Sequence, residues 1–246
     1  MRVYSGSDIG LRRDSNQDYC KTGIFPDGAV WAVVCDGMGG ANGGCTASSQ
    51  AAETISGVLT EGYRNDLTCH EVKELMEKAV SEANRKVYLM AQENADLYGM
   101  GTTVVCAVAK DGRISIVHAG DSRAYLYREG RLDRITTDHS VVQELVSAGQ
   151  LTDEQARNHP NRNIITRALG IEPVLSTDYN VEEFISGNEL VICTDGLSGY
   201  FSDKELYCLI KDTDPEALIE KLIQARCSLT TADVKAAVVA LKEVVE

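Results

Sequence analysis

Apolar and β-branched positions along the chain gather into short runs at about 2–8, 29–35, 102–109, 113–119, 123–128, 189–194 and 235–241, each of strand length and bounded by turn-forming residues. Elsewhere the spacing changes to that of a helix. Behind Thr68-Cys69-His70-Glu71, which has the form of a capping box, Val72, Leu75, Met76, Ala79, Val80, Ala83 and Val87 recur at three- and four-residue intervals. Further helix starts stand at Thr152-Asp153-Glu154-Gln155, at Ser202-Asp203-Lys204-Glu205, and at Asp214, where Pro215 takes the first helical position. Residues 45–61 also read as helical.

The order of these elements sets the fold class. Lys110-Asp111-Gly112 joins the runs 102–109 and 113–119, and Arg128-Glu129-Gly130 joins 123–128 to a short strand at 131–136. Both are hairpin turns with Gly where a positive φ is needed, so the sheet is antiparallel and helices cover its faces. The expectation is an α+β layered sandwich. No repeat, low-complexity tract or linker divides the chain, so residues 1–246 are expected to form one domain.

At 246 residues the chain can remove roughly three quarters of its unfolded surface from water. No apolar run approaches the ~18 residues that span a bilayer, and charges interrupt the first residues where a secretory signal would be apolar. A cytoplasmic protein with no membrane partner is expected. The eight cysteines include no CxxC pair, and Cys35, Cys106 and Cys193 lie inside apolar runs, which reads as reduced core thiols rather than a disulfide framework. The net charge of −13 argues against a nucleic-acid partner. An acidic excess serves solubility or holds cations, and position along the chain decides between them.

Three apolar runs end in an aspartate beside a small residue: Asp36-Gly37, Asp121-Ser122 and Asp195-Gly196. A fourth, Asp233, opens the run at 235–241. In an antiparallel sheet the end of one strand lies beside the start of its neighbour, so all four can meet on one rim. Any one Asp-Gly pair is explained as a turn. Several carboxylates on one rim repel unless cations lie between them, and oxygen-only ligands suit Mg²⁺ or Mn²⁺. The pattern does not by itself name a chemistry.

The ordered segments SDIGLRRDSNQD (7–18), VVCDGMGG (33–40), GMGTTVV (99–105), VHAGDSRAYLY (117–127), TTDHSVVQELVSAGQLT (136–152), HPNRNIITRALG (159–170), VICTDGL (191–197) and TTADVKAAVV (230–239) carry more. Together the chain resembles the metal-dependent, type 2C-like serine/threonine protein phosphatases, in particular their bacterial branch. The resemblance implies a four-layer α-β-β-α sandwich with two central antiparallel sheets, and a flap segment at 140–170. It implies a protein-serine/threonine phosphatase that hydrolyses phosphoserine and phosphothreonine by direct attack of a metal-bridging hydroxide. Its cofactors would be two Mn²⁺ or Mg²⁺ ions, with a third, weaker site. By the same resemblance Asp36 bridges two ions and the Gly37 carbonyl joins one of them. Asp195 and Asp233 complete the first ion's protein ligands, Asp18 acts through bound water, and Asp121 holds the third ion. Arg13 matches the residue that grips the substrate phosphate. Phosphorylated proteins are the implied partners, with a cognate serine/threonine kinase acting in the opposite direction and the phosphatase itself a monomer.

Two departures stand out: Met38 occupies a position where many eukaryotic relatives carry His, and Asp233 is followed by Val234 in place of the usual Asn. An orienting amide is thus missing beside Asp233. Gly39, Gly40, Gly43 and Gly44 read as a loop into the helix at 45 rather than a phosphate cradle. His139 reads as structural or flap-associated, and His118 as a hydrogen-bonded core residue. Two rival readings are a phosphoprotein-binding module without catalysis and a hydrolase of small phosphate esters or diesters.

Overall fold

Alternation along one strand explains the layers. In the run that begins at Val30, the residues Val30, Ala32 and Val34 enter one buried cluster while Trp31, Val33 and Cys35 enter another. A strand buried on both faces needs a second sheet on one side and helices on the other. The computed structural model describes residues 1–8, 16–211, 213–229 and 236–242, with the side chains of 41–42, 226–229 and 236–241 left aside.

The strands are β1 Arg2–Asp8, β2 Asp18–Ile24, β3 Val30–Met38, β4 Gly101–Thr102, β5 Val104–Lys110, β6 Arg113–Ala119, β7 Arg123–Arg128, β8 Arg131–Arg134, β9 Asp178–Glu183, β10 Glu189–Cys193 and β11 Ala236–Lys242. The helices are α1 Gly40–Gly62, α2 Cys69–Glu93, α3 Val141–Ser147, α4 Asp153–Arg157, α5 Asp195–Ser198, α6 Asp203–Ile210 and α7 Pro215–Leu229. One antiparallel sheet runs β1-β11-β10-β7-β8 and the other β2-β3-β5-β6-β9, with β4 paired to the end of β3.

Between the sheets, Val30, Ala32, Val34, Val105, Ala107 and Ile116 face Ala124, Leu126, Leu190 and Ile192. The far side of the second sheet packs on α1 and α2 through Ile55, Leu59, Met76, Val80 and Val87. The far side of the first packs Tyr125, Val191 and Cys193 against Leu197, Leu206, Leu218 and Leu222. The result is the expected α-β-β-α sandwich of two antiparallel sheets. Cys35, Cys106 and Cys193 are buried and free, as their apolar context predicts. Among the described residues no helix is long and apolar enough to cross a membrane.

Local signals hold where chemistry is explicit. Thr68 and Thr152 close capping boxes with Glu71 and Gln155, and Ser202 does so with Glu205. The hairpin turns carry Asp111 and Gly112 at φ 50 and 71°, and Glu129 and Gly130 at φ 50 and 75°. Both central residues then twist in the sense that matches the flanking strands. Three expectations need correction. The run at 102–109 breaks into β4 and β5 around Thr103, the predicted 131–136 strand stops at Arg134, and α1 begins at Gly40 instead of 45. Two strands, β2 (DYCKTGI) and β9 (DYNVEE), lie outside the predicted runs. They are the two edges of their sheet, so neither needs the apolar alternation of a central strand.

Glu189 is a cost built into this core. It is only 3% exposed, its Oε1 has no hydrogen-bond partner among the described residues, and burial pushes its carboxyl up to about 7, partly offset by Lys242. A carboxyl raised in the folded state binds its proton more tightly folded than unfolded, so stability is lost as pH rises from the ordinary carboxylate range through 7. Glu189→Gln is expected to leave the melting temperature unchanged near pH 4. At pH 8 it should raise Tm by about 2–4 °C, the shift made by ~1 kcal/mol in a chain of this size. Equal melting temperatures at pH 8 would contradict the assignment.

Candidate metal centre

Antiparallel register places Asp18 of β2 directly opposite Asp36 of β3. Directly opposed side chains share a face of the sheet, and like charges there repel. The backbone of Asp36 is held from the next strand. Its N–H donates to Thr103 Oγ1 at 2.9 Å, and its carbonyl accepts from Thr102 Oγ1 and from the Thr103 N–H, both at 2.9 Å. The Thr103 hydroxyl, which accepts from Asp36, also shares a 2.7 Å hydrogen bond with Ser122 Oγ, beside Asp121. The Gly37 N–H donates to the Gln17 carbonyl at 3.0 Å. Here the glycine run finds its use. A Cβ on Gly44 would stand 2.8 Å from the Gly37 carbonyl oxygen, so α1 reaches the strand end only because both residues are glycine.

The other two carboxylates come from the junction of the sheets. Asp121 lies in the link that leaves β6 of one sheet for β7 of the other, and Asp195 is the first residue of α5, just past β10. Thr194 Oγ1 donates to Asp18 Oδ2 at 2.8 Å and so ties the two sheet ends together. Asp18 is buried, Asp36 and Asp121 are half-buried, and Asp195 is exposed. Burial, then Asp195, Asp18 and Asp121, hold the Asp36 carboxyl well above the usual range. Burial, Asp195 and Asp138 push Asp121 up to about 8, against the opposing pull of Arg123.

This donor set fits a hard divalent cation: oxygen ligands only, several negative charges, and an electrostatic cost that positive charge between them would cancel. Among the described residues, three potential ligand atoms lie within 4.8 Å of one another only at His118, His139 and Asp178. The aspartates therefore line a broader rim than a single-ion cage. The remaining predicted residues Arg13 and Asp233, with Val234, lie outside the described residues.

A cleft of about 310 Å³ opens beside the rim, with Asp121 and Asp195 on one side and Val142, Arg157, Arg162 and Asn163 on the other. The segment 140–170 forms that second wall. It is pinned at its base by the Val141 N–H to Ile164 carbonyl bond at 3.0 Å and the Thr166 N–H to His139 carbonyl bond at 2.8 Å. Beneath the cleft, Arg123 clasps Asp138 through Nε at 2.9 Å and Nη2 at 2.6 Å. The sequence motifs that contain Thr103, Ser122, Arg123 and Asp138 do not by themselves reveal these roles. Their only signal was the small hydroxyl or charge within each block. His118 Nε2 lies 3.1 Å from the Thr137 carbonyl oxygen inside the core, as expected of a hydrogen-bonded core histidine.

Comparison with known proteins adds the lineage. The family profile described as "Protein phosphatase 2C" matches residues 11–237. The chain is 36% identical over 213 residues to the serine/threonine phosphatase stp of Listeria welshimeri, an overlap of 86% of this chain and 83% of that protein. Its fold superposes on the crystal structure of the serine/threonine phosphatase Stp1 from Staphylococcus aureus with a TM-score of 0.90 and 31% identity, covering 99% of this chain and 95% of the other. The catalytic domain of the phosphatase PstP, solved in complex with two manganese ions, superposes with a TM-score of 0.84 at 30% identity, covering 97% and 96%. With its motifs in order, its two sheets and its acidic rim, this chain belongs to the protein phosphatase 2C family of serine/threonine phosphatases.

Proposed function

We propose that the protein removes phosphate from phosphoserine and phosphothreonine of other proteins with two Mn²⁺ or Mg²⁺ ions and a third, weaker one. Residues 1–246 would act as a single, monomeric catalytic domain in the cytoplasm, opposing a serine/threonine kinase. The observation that carries this reading is the convergence of Asp18, Asp36, Asp121 and Asp195 from two sheets, with Asp36 forced well above the usual carboxylate range by burial and by its acidic neighbours. Asp36, the Gly37 carbonyl, Asp195 and Asp233 would hold the central pair, with Asp18 acting through water and Asp121 serving the third ion. A broad rim of carboxylates would suit two ions better than one enclosed ion. When bound, the cations lower the pKa of a water and supply hydroxide for in-line attack on phosphorus.

The chain's own residues do the rest. Arg13, with its planar fork, grips two phosphate oxygens and offsets charge as the serine or threonine oxygen departs. The Asp36 backbone, locked by Thr102 and Thr103, keeps its carboxylate aimed at the rim. Met38 supplies no acid, so the leaving oxygen takes its proton from water or from another group. The 140–170 segment, through Arg157 and Arg162 on the cleft wall, selects among protein substrates.

The test compares turnover of a phosphothreonine peptide, a nucleotide and a phosphodiester, with Mn²⁺ and with chelator. Peptide turnover that needs added cation is expected. Preference for the diester or nucleotide would move the protein to small phosphate esters, and absence of all turnover with bound peptide would make it a binding module. Arg13→Ala should lower kcat/KM for the peptide roughly 10- to 150-fold, the worth of ~1.5–3 kcal/mol in hydrogen bonds to a charged group, with much of the loss in KM. Unchanged kinetics would contradict the assignment of Arg13 to the phosphate.

A further inference from the structure

We propose that His139 is a positioning residue for Asp121, setting the affinity of the cation site to which Asp121 belongs. The inference rests on the reading of Asp121 as a cation ligand.

Gly120, the residue before Asp121, is held by His139 at both of its backbone groups. The His139 N–H donates to the Gly120 carbonyl at 2.9 Å, and the Gly120 N–H donates to His139 Nδ1 at 3.1 Å. Gly120 has little room to move elsewhere. It sits at φ 108°, and a Cβ there would stand 2.6 Å from Thr103 Cγ2. On the far side of Asp121, Ser122 is held by the Thr103 hydroxyl at 2.7 Å. Asp121 is thus bracketed by one clamp at 120 and another at 122, and the histidine supplies the first.

The ring's other nitrogen explains what holds the histidine. Nδ1 accepts from Gly120, so in the neutral ring the proton is on Nε2, which stands 3.2 Å from Asp178 Oδ2. Arg167 Nη1 lies 2.7 Å from Asp178 Oδ1 and 3.1 Å from the same Nε2. The His139 carbonyl accepts from the Thr166 N–H, at the return of the 140–170 segment. This buried residue, 6% exposed, therefore joins the Asp121 turn to β9 through its ring and to the base of that segment through its backbone.

The same cluster meets the spacing of a metal site, since His118, His139 and Asp178 offer ligand atoms within 4.8 Å of one another. Its geometry argues otherwise. The two imidazoles are stacked, with planes 6° apart and centroids 4.9 Å apart, so their in-plane lone pairs do not converge on one point. His139 Nδ1 is already engaged, and the Arg167 guanidinium takes the place beside Asp178 where a cation would sit. The cluster is a brace for the rim rather than a second centre.

The test is Mn²⁺ binding followed by the electron paramagnetic resonance of the free ion, which needs no turnover. His139→Ala is expected to weaken the Asp121-dependent site about 10- to 100-fold, the usual range for residues that orient metal ligands. His139→Asn, whose Oδ1 takes the place of Nδ1, should recover most of that loss. His139→Gln, which places its amide nearer the Nε2 position, should not. In an Asp121→Asn background, His139→Ala should change nothing further. If His139→Ala does not fold, the Asn and Gln variants decide by the same comparison. Wild-type affinity in His139→Ala, equal affinities for Asn and Gln, or an undiminished loss in the Asp121→Asn background would each overturn the proposal. A wild-type protein that binds no Mn²⁺ would instead overturn the metal reading beneath it.

Discussion

Asp36→Asn is expected to abolish turnover while making the cation-free protein more stable. Both effects have one cause. Asp36 is crowded by Asp195, Asp18 and Asp121, and its burial leaves little water to screen them. As proposed above, that crowding is what cations cancel, and an amide at this position keeps the shape but gives up the charge. A loss of ~4 kcal/mol of cation-dependent stabilisation corresponds to about 1,000-fold in rate. In chelator the sign reverses. A carboxyl whose folded pKa is raised costs stability as pH rises above the ordinary carboxylate range, so removing it should raise Tm at pH 8 and leave it unchanged near pH 4. Full peptide turnover by Asp36→Asn at limiting Mn²⁺ would end the two-ion reading. A lower Tm in chelator at pH 8 would contradict the electrostatics.

Asp138→Ala should cost the fold about 3 kcal/mol or more, because it strands a buried cation. The Arg123 and Asp138 side chains are 17% and 9% exposed, and two short charge-assisted bonds join them. Arg123 then donates to Tyr125 Oη at 3.2 Å, and that hydroxyl donates to Asp203 Oδ1, also at 3.2 Å. The network underlies the cleft next to Asp121. Asp138→Asn, which keeps an acceptor for the guanidinium, should lose less than Asp138→Ala. Urea denaturation at pH 7 reads both values, and a change under about 1 kcal/mol in the alanine variant would place the pair among ordinary surface ion pairs.

The sequence disclosed whatever depends on local chemistry. Capping boxes, hairpin glycines and apolar runs ending in aspartate each carry their physical reason within a few residues, and the structure keeps them. Asp36, Asp121 and Asp195 were visible because an apolar strand that ends in a carboxylate is conspicuous. What depends on register or on edges was not visible. The strand β2 is polar because it lies on a sheet edge, so the pairing of Asp18 with Asp36 had no apolar pattern to announce it. The hydroxyls of Thr103 and Ser122 meet across 19 residues of chain, a contact that no spacing rule foretells. The start of α1 at Gly40 was hidden by glycine's poor helix propensity, and only the approach of Gly44 to Gly37 explains it. His139, read as structural or flap-associated, bonds to Thr166 of that segment, but its grip on Gly120 has no local signal in the sequence. The substitution at Val234, with its expected loosening of Asp233, falls outside the described residues.

The central claim is that the acidic rim exists to hold divalent cations, and proton release on Mn²⁺ binding tests it most directly. Near neutral pH Asp121, pushed up to about 8, retains its proton in the cation-free protein, and burial with the acidic neighbours raises the Asp36 carboxyl in the same direction. A bound cation must displace such protons, since carboxylates ligate in the ionised form. Calorimetric titration with Mn²⁺ at pH 7, in two buffers of different ionisation enthalpy, gives the number of protons released. The expected result is a release of about one proton or more per protein, reduced in Asp36→Asn and in Asp121→Asn. Absence of Mn²⁺ binding, or binding with the same proton release in both variants as in the wild type, would contradict the account.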